Sequence, residues 1–377
     1  MGKMSRRILM VAGEASGDAL GGRLARALLQ LDPSLHLYGV GGARMRTAGV
    51  QIVTDISELG VMGFAELGRG LGRAVSLLRK LRRELKARSA DVFVPIDFPD
   101  FNLPLCRSAR AAGVRVVYYV SPQVWAWRRG RIATIASNVD RMIVLFPFEE
   151  ELYRKAGIDA HFVGHPLAED VAARADRAGT RRRYGLDAEK PLLVLLPGSR
   201  KREVEMMLPP MLEAATALAA RVQCAVAEAA SLPAGLVASI VGARGKRVRI
   251  VHDDTYDLIA ASDVALVTSG TATLETALLG CPMVVAYRMS SFSYAIASRL
   301  VRVPFIAMPN LLLGKRVVPE LIQEEATGPC MTREAARFLD DPAYRTRTVH
   351  ALARVRGALA RPDSARAAAG LVLETPA

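Results

Sequence analysis

Residues 263–280 read "DVALVTSGTATLETALLG", and the reading of this stretch decides the fold. Asp263 to Val267 is a short apolar run, the kind shown by a strand buried on both faces. Thr-Ser-Gly-Thr interrupts it, and a helical spacing takes over from Ala272. A strand that hands over to a helix through small hydroxyl residues and a glycine leaves the free N–H groups and partial positive charge of the helix start open to an anion. Phosphate or diphosphate is the natural guest. The plain alternative is a helix cap made by Ser269 or Thr271. A capping box would put an acid three residues after the cap, but those positions are Ala272 and Leu274. Glu275 therefore stands a turn further in, where a carboxylate suits ribose hydroxyls.

The same alternation runs along the whole chain. "RRILMVAG", "HLYGVGG", "DVFVPID", "VRVVYYVSP", "DRMIVLFP" and "HFVGHP" read as strands, with helical segments such as 19–31, 69–88 and 101–112 between them. Residues 168–190 carry charge and no strand. The alternation then resumes with "PLLVLLPGS", "QCAVAEAAS", "RVRIVHD", "DVALVTSG", "CPMVVAYR" and "FIAMPN". Apolar strands alternating with helices predict α/β architecture: two doubly wound, Rossmann-like domains of parallel sheet facing across a cleft. The predicted boundaries are a first domain over 1–168, a linker over 169–190, a second domain over 191–341, and tail helices over 342–377. In such sheets ligands sit beyond the carboxyl ends of the strands, and every motif below falls just after a strand.

A chain of 377 residues exceeds what one core ordinarily supports. No apolar run approaches the roughly 18 to 20 residues that span a bilayer. The basic N-terminus reaches Glu14 too soon for a signal peptide and reads as a first strand. Cys106, Cys224, Cys281 and Cys330 have no paired spacing, which fits a reducing cytosol and argues against zinc or a disulfide framework. The net charge of +14 points to nucleic acid, an anionic membrane or phosphorylated substrates, or to nothing beyond an arginine-rich composition. Aromatics make up only 6%, too few to interleave with basic patches as a nucleic-acid surface requires.

"LLPGSRKREVE" (195–205) repeats the strand-to-helix device with Gly198, Ser199 and Arg200, whose guanidinium suits phosphate oxygens. "VPIDFPDFNLP" (94–104) ends a strand on Asp97, a candidate general base at a strand tip, with Asp100 a cap or turn former. "GEASGD" (13–18) lacks the GxGxxG of a nicotinamide-binding fold, and its Asp18 reads as a helix N-cap. His165 in "VGHPL" ends the last strand of the first domain. The chain has no P-loop, no HExxH, no GxSxG and no acidic metal clamp, so no metal or other cofactor is expected. Over 56–89, Leu67, Leu71, Val75, Leu78, Leu81 and Leu85 recur at helical spacing among arginines including Arg69 and Arg73, after a loop holding Val61, Met62 and Phe64. This reads as a packing helix whose basic face, with that loop, suits an anionic membrane.

Taken in order, "GEASGD", "GGARMRTAG", "GVMGFAEL", "IDFPDFNLP", "YYVSPQVWAWRRGR", "LFPFE", "FVGHPL", "LPGSR", "TSGTATLE" and "NLLLGKRVVPELIQEEAT" resemble the lipid-A-disaccharide synthase family. These are glycosyltransferases of the two-domain GT-B type. The resemblance implies transfer of 2,3-diacylglucosamine from UDP-2,3-diacylglucosamine to the 6-hydroxyl of 2,3-diacylglucosamine 1-phosphate, with inversion. It further implies work on the cytoplasmic face of the inner membrane of Gram-negative bacteria. Asp97 matches the family's catalytic aspartate. Gly198, Ser199, Arg200, Ser269, Gly270, Thr271 and Ala272 would hold UDP, with Glu275 and Asn310 on the nucleoside. Glu14, Ser16, Gly17, Asp100, Asn102, Gln123, His165, Glu320 and Gln323 join them as cleft residues. The tail helices would cross back to the first domain, as GT-B chains do. The oligomeric state stays open, a homodimer among the options. The alternative on the same architecture is a UDP-N-acetylglucosamine 2-epimerase-like isomerase.

Overall fold

Seven strands form the first sheet: β1 (Arg7–Ala12), β2 (His36–Gly41), β3 (Gln51–Asp55), β4 (Val92–Ile96), β5 (Arg115–Tyr119), β6 (Arg141–Val144) and β7 (Asp159–Phe162). They lie in the order β3-β2-β1-β4-β5-β6-β7, every pair parallel. Six more form the second sheet: β8 (Leu192–Leu196), β9 (Gln223–Glu228), β10 (Val248–His252), β11 (Val264–Thr268), β12 (Met283–Tyr287) and β13 (Glu320–Ile322). Their order is β10-β9-β8-β11-β12-β13, again all parallel. The computed structural model describes residues 6–59, 67–87, 89–125, 130–242, 248–290, 294–295, 298 and 303–374.

Helices cover the sheets, so the central strands have no solvent face. All five residues of β4, of β8 and of β11 are buried. Burying each Val, Leu or Ile contributes about 1.5–3 kcal/mol, which is why these runs read as continuous apolar segments. In both sheets the chain winds outward, then returns to the other side of its starting strand. The order therefore reverses between β1 and β4, where Ala12 pairs with Ile96. It reverses again between β8 and β11, where Leu196 pairs with Val267. Loops at such a reversal diverge and leave room for a ligand.

The chain divides into one unit of Met1–Pro166 with Arg361–Ala377 and a second of Leu167–Ala360. Residues 169–190, expected as a linker, belong instead to the second unit. The reason is Arg181, only 2% exposed. Its guanidinium donates to the carbonyls of Ala261, Asp187, Ala188 and Lys190 and to Asp263 Oδ2, and Arg177 joins it on Asp263 at 2.6 Å. A run of arginines looks solvated in sequence; here one of them is the hub that folds the run onto the sheet. The expected tail over 342–377 is also divided. Helix Pro342–Leu359 falls in the second unit. Helix Ser364–Glu374 falls in the first, where Ala368, Ala369 and Val372 share a core with Leu24 and Leu28 of helix Ala15–Leu31.

Two strand readings change. "QIVTD" forms β3, an edge strand whose half-exposed residues lack the apolar signature. "FIAMPN" forms no strand: helix Met308–Leu313 starts within it, with Pro309 in its first turn, and the sixth strand is the three-residue β13. The basic segment forms helix Leu67–Lys86. Its buried stripe runs through Leu77, Leu81 and Leu85, while Val75 is 36% exposed. Arg73 is exposed. Val61, Met62 and Phe64 lie outside the described residues, as does the side chain of Arg69.

Candidate active site

In the first unit the site grows from the end of β4. Asp97 and Phe98 both take left-handed backbone angles, φ 47° and 50°. Non-glycine residues adopt this region at a cost of about 1–2 kcal/mol each, so the surroundings must hold them there. The Asp97 N–H donates to Tyr119 O at 3.0 Å. Its carbonyl accepts from the Tyr118 hydroxyl and from Asn102 Nδ2, each at 2.7 Å. The Phe98 ring lies over Gly13, where a Cβ would come within 2.2 Å of it, and stacks on Phe101 at 5.4 Å. Glycine at 13 is thus required by the ring that closes over it. Burial pushes the Asp97 carboxyl up to about 6; a hydrogen bond from the Phe98 N–H opposes this and the nearby charge of Glu14 adds to it. A carboxylate poised there is a competent general base near neutrality.

The other expected residues of this unit take separate roles. Glu14 and Ser16 are exposed at the start of helix Ala15–Leu31, and Gly17 is buried against Ala12 and Ile96. Asp18, read from sequence as the cap of this helix, caps a different one. Its carboxylate accepts from the N–H groups of Gly42, Arg44 and Met45 at 2.7, 3.0 and 3.0 Å, closing the start of helix Ala43–Thr47. Asp100 is exposed and pairs with Arg131; Phe98, not Asp100, occupies the N-cap of helix Pro99–Ala111. Asn102 is fully buried, and its Nδ2 fixes the Asp97 backbone by donating to the Asp97 carbonyl. Gln123 is exposed beyond β5. His165 lies beyond β7 with its ring 5.0 Å from Phe146.

In the second unit the two loops at the reversal carry the glycine motifs. After β8, Gly198 has φ 115°, and its Cβ position lies 2.8 Å from Glu203 Oε2. Arg200 begins helix Lys201–Ala217 as its N-cap; its side chain is 80% exposed and reaches Glu203 at 2.8 Å. Ser199 is exposed, and its carbonyl accepts from Ser231. After β11, Gly270 is the N-cap of helix Thr271–Leu278 with no side-chain cap, and nothing lies within 4 Å of its Cβ position. Ser269, one of the two candidate caps, donates its hydroxyl to Ile306 O at 2.8 Å instead. Thr271 is exposed and Ala272 half-buried, so the open helix start is unobstructed by side chains. Glu275 accepts from the Tyr256 hydroxyl at 2.9 Å, and burial raises its pKa against that bond.

Three expected contacts are occupied by the chain itself. Asn310 is 0% exposed. Its Oδ1 accepts from the N–H groups of Val317 and Val318, and its Nδ2 donates to Val318 O and Glu320. No polar atom is left for a nucleoside. Glu320 also accepts from the N–H groups of Ile306 and Ala307, and Gln323 clasps both backbone groups of Met289. Glu320 fixes the 306–307 segment that accepts from Ser269 at the helix start. Sequence reading passed over Tyr256 and Glu149. Each is found only through a partner distant in sequence, 19 residues away for Tyr256 and 24 to 28 for Glu149. Among the described residues no three His, Cys, Asp or Glu side chains gather where a metal ion would sit, and no helix is long and apolar enough to cross a membrane.

Solved structures share this architecture. A glycosyltransferase of kitacinnamycin aligns at TM-score 0.60 and 18% identity, covering all of both chains. A UDP-GlcNAc 2-epimerase from Neisseria meningitidis, solved with UDP-GlcNAc, aligns at 0.58 and 10% over 98% of this chain and 99% of that one. At such identities the likeness is one of fold. Two parallel sheets of this order, with strand-to-helix glycine loops at both reversals, define the GT-B fold. The model of the family described as Lipid-A-disaccharide synthetase matches residues 8–372. A Lipid-A-disaccharide synthase from Geobacter sulfurreducens is 44% identical over 98% of this chain and 97% of its own length. The chain belongs to the lipid-A-disaccharide synthase family.

Proposed function

We propose that the chain transfers 2,3-diacylglucosamine from UDP-2,3-diacylglucosamine to the 6-hydroxyl of 2,3-diacylglucosamine 1-phosphate in one inverting displacement. The acceptor oxygen attacks C1 of the donor sugar while its proton passes to Asp97. The bond from C1 to the diphosphate breaks, its electron pair leaving on UDP. A donor α linkage becomes a β-1,6 linkage in the product. Such a base contributes on the order of 10² to 10⁴ in rate. In the second unit the start of helix Thr271–Leu278 and the exposed Arg200 would take up the negative charge of the departing diphosphate, with no metal required. Glu275, oriented by Tyr256, would accept from the ribose. Asn310, Glu320 and Gln323 support these loops without touching the nucleotide.

The observation that carries the reading is Asp97: a half-buried carboxyl at the reversal of the first sheet, raised to about 6 and clamped in a left-handed turn. We further propose that the protein works at the anionic inner-membrane surface on its cytoplasmic side, where diacylated substrates reside. Residues 61–64 and the basic helix Leu67–Lys86 would be its contact there. The test is UDP release from the two acylated sugars, with the disaccharide linkage read by NMR. Activity that vanishes in EDTA would remove the metal-free reading, and an epimerised sugar nucleotide in place of a disaccharide would overturn the assignment.

A further inference from the structure

Beyond the ends of β5 and β6 lies a buried carboxylate that the proposed chemistry does not use. Glu149 is 3% exposed and sits in the first turn of helix Pro147–Lys155. Its Oε1 accepts from the Ser121 hydroxyl at 2.6 Å and from the Trp125 indole N–H at 3.0 Å. Its Oε2 accepts from the Phe146 N–H at 3.1 Å. Two segments that are separate in sequence, the turn after β5 and the start of the helix after β6, thus converge on one side chain. The Tyr153 hydroxyl adds a bond to Pro122 O from the same helix, at 3.3 Å.

What this carboxylate holds is the turn 121–125, and β5, the strand that runs into that turn, bonds the Asp97 loop. Two residues before Ser121, the carbonyl of Tyr119 receives the Asp97 N–H, and the neighbouring Tyr118 hydroxyl donates to the Asp97 carbonyl. At the other end of the turn, Trp125 meets Phe148 edge-on at 5.2 Å, Phe148 stacks on Phe146 at 5.6 Å, and Phe146 lies 5.0 Å from His165. These four rings are only half-buried, in a protein with few aromatics. They line the same carboxyl edge of the sheet as Asp97. Burial in this position pushes Glu149 up to about 7, against the bonds it accepts, so an uncharged form is accessible near neutrality.

We infer that Glu149 is a positioning residue for the acceptor: it holds Ser121 and Trp125 so that the Trp125 edge of the first unit and the Asp97 loop are registered to the incoming acylated sugar. The inference rests on the proposed transfer and adds to it a residue that touches neither substrate. Hydrogen bonds set the placement; a glutamine at 149 still presents an oxygen to Ser121 and Trp125, whereas an alanine presents nothing.

Initial rates of the full chain with both acylated sugars, varied one at a time, test this. Glu149→Ala is expected to raise the acceptor KM about tenfold and lower kcat, with the donor KM within about twofold of the unaltered protein. Glu149→Gln is expected to restore the acceptor KM to within about threefold. A residue that merely kept the fold together would lower the active fraction and leave both KM values unchanged. An acceptor KM untouched by Glu149→Ala, or a donor KM that rises in parallel, overturns the inference. Where Glu149→Ala yields no folded protein, Trp125→Phe removes the indole N–H bonded to Glu149 while keeping an aromatic ring against Phe148; it is expected to raise the acceptor KM about threefold, and no change overturns the inference. The unaltered protein separates the two levels of argument. Turnover by it with unaffected variants sinks the role of Glu149 alone, while no UDP release from it sinks the proposed transfer and this inference together.

Discussion

Replacing Asp97 by asparagine is expected to slow turnover sharply and stabilise the first unit, and both effects come from the loss of one ionisable carboxyl. The Asp97 carboxyl is raised from 3.8 to about 6, chiefly by burial. The folded state therefore keeps its proton up to about pH 6, while the unfolded chain releases it near 3.8. Between those values the folded state binds more protons, so stability falls as pH rises through the window. At about 1.4 kcal/mol per factor of ten, the charged carboxylate costs at most about 3 kcal/mol at pH 7. Asparagine keeps the size, accepts the same Phe98 N–H, and tolerates a left-handed backbone as aspartate does. It carries no charge to desolvate. The variant should thus gain up to about 3 kcal/mol at pH 7 and nothing below about pH 4. Its kcat should fall by about 10² to 10⁴. Both tryptophans, Trp125 and Trp127, lie in residues 1–166, so urea unfolding followed by their emission reports on the first unit. A variant no more stable than the unaltered protein at pH 7, or one whose gain is equal at pH 4 and pH 7, would refute the buried-base reasoning. Retained turnover would remove Asp97 as the base. In the unaltered protein, kcat/KM should decline about tenfold per pH unit below about 6.

Three further outcomes are expected. Gly13→Ala places a Cβ 2.2 Å from the Phe98 ring, so the ring and the left-handed turn beneath it must shift; overpacking of this kind costs about 1–3 kcal/mol, and activity should fall with donor KM unchanged. Asn310→Ala takes from the N–H groups of Val317 and Val318 and from the carbonyl of Val318 the side chain that partners them. At about 1–3 kcal/mol for each unsatisfied group, hydrogen exchange in β11 should accelerate at least a hundredfold, and an unchanged rate would contradict the role given to Asn310. Met62→Glu with Phe64→Glu should reduce flotation with anionic liposomes; unchanged flotation would remove residues 61–64 from the membrane contact.

Sequence alone determined the architecture and the strand ends from which the site is built. Apolar runs such as "VFVPI" and "VALVT" are unmistakable because a central parallel strand is shielded on both faces and is built mostly from apolar residues. The handover from such a run to glycine and hydroxyl residues is equally local, so the places of Gly198, Gly270, Arg200 and Asp97 just beyond strand ends were legible in the sequence. Edge elements were not: "QIVTD" is only partly buried, "ELI" is three residues long and begins on a glutamate, and "FIAMPN" is too short for periodicity to separate strand from helix. Only the tertiary structure decided the partners. It took Asp18 from its own helix to cap another, and it buried Arg181 in a segment that looked solvated. It also consumed the amide of Asn310 on the chain's own backbone and brought Glu149 under Ser121 and Trp125. The bonds of Asp18 and Glu149, and that of Arg181 to Asp263, join residues that the sheet order makes neighbours. A polar side chain in sequence shows what it is able to bind, and only the fold shows whether that capacity has already been filled.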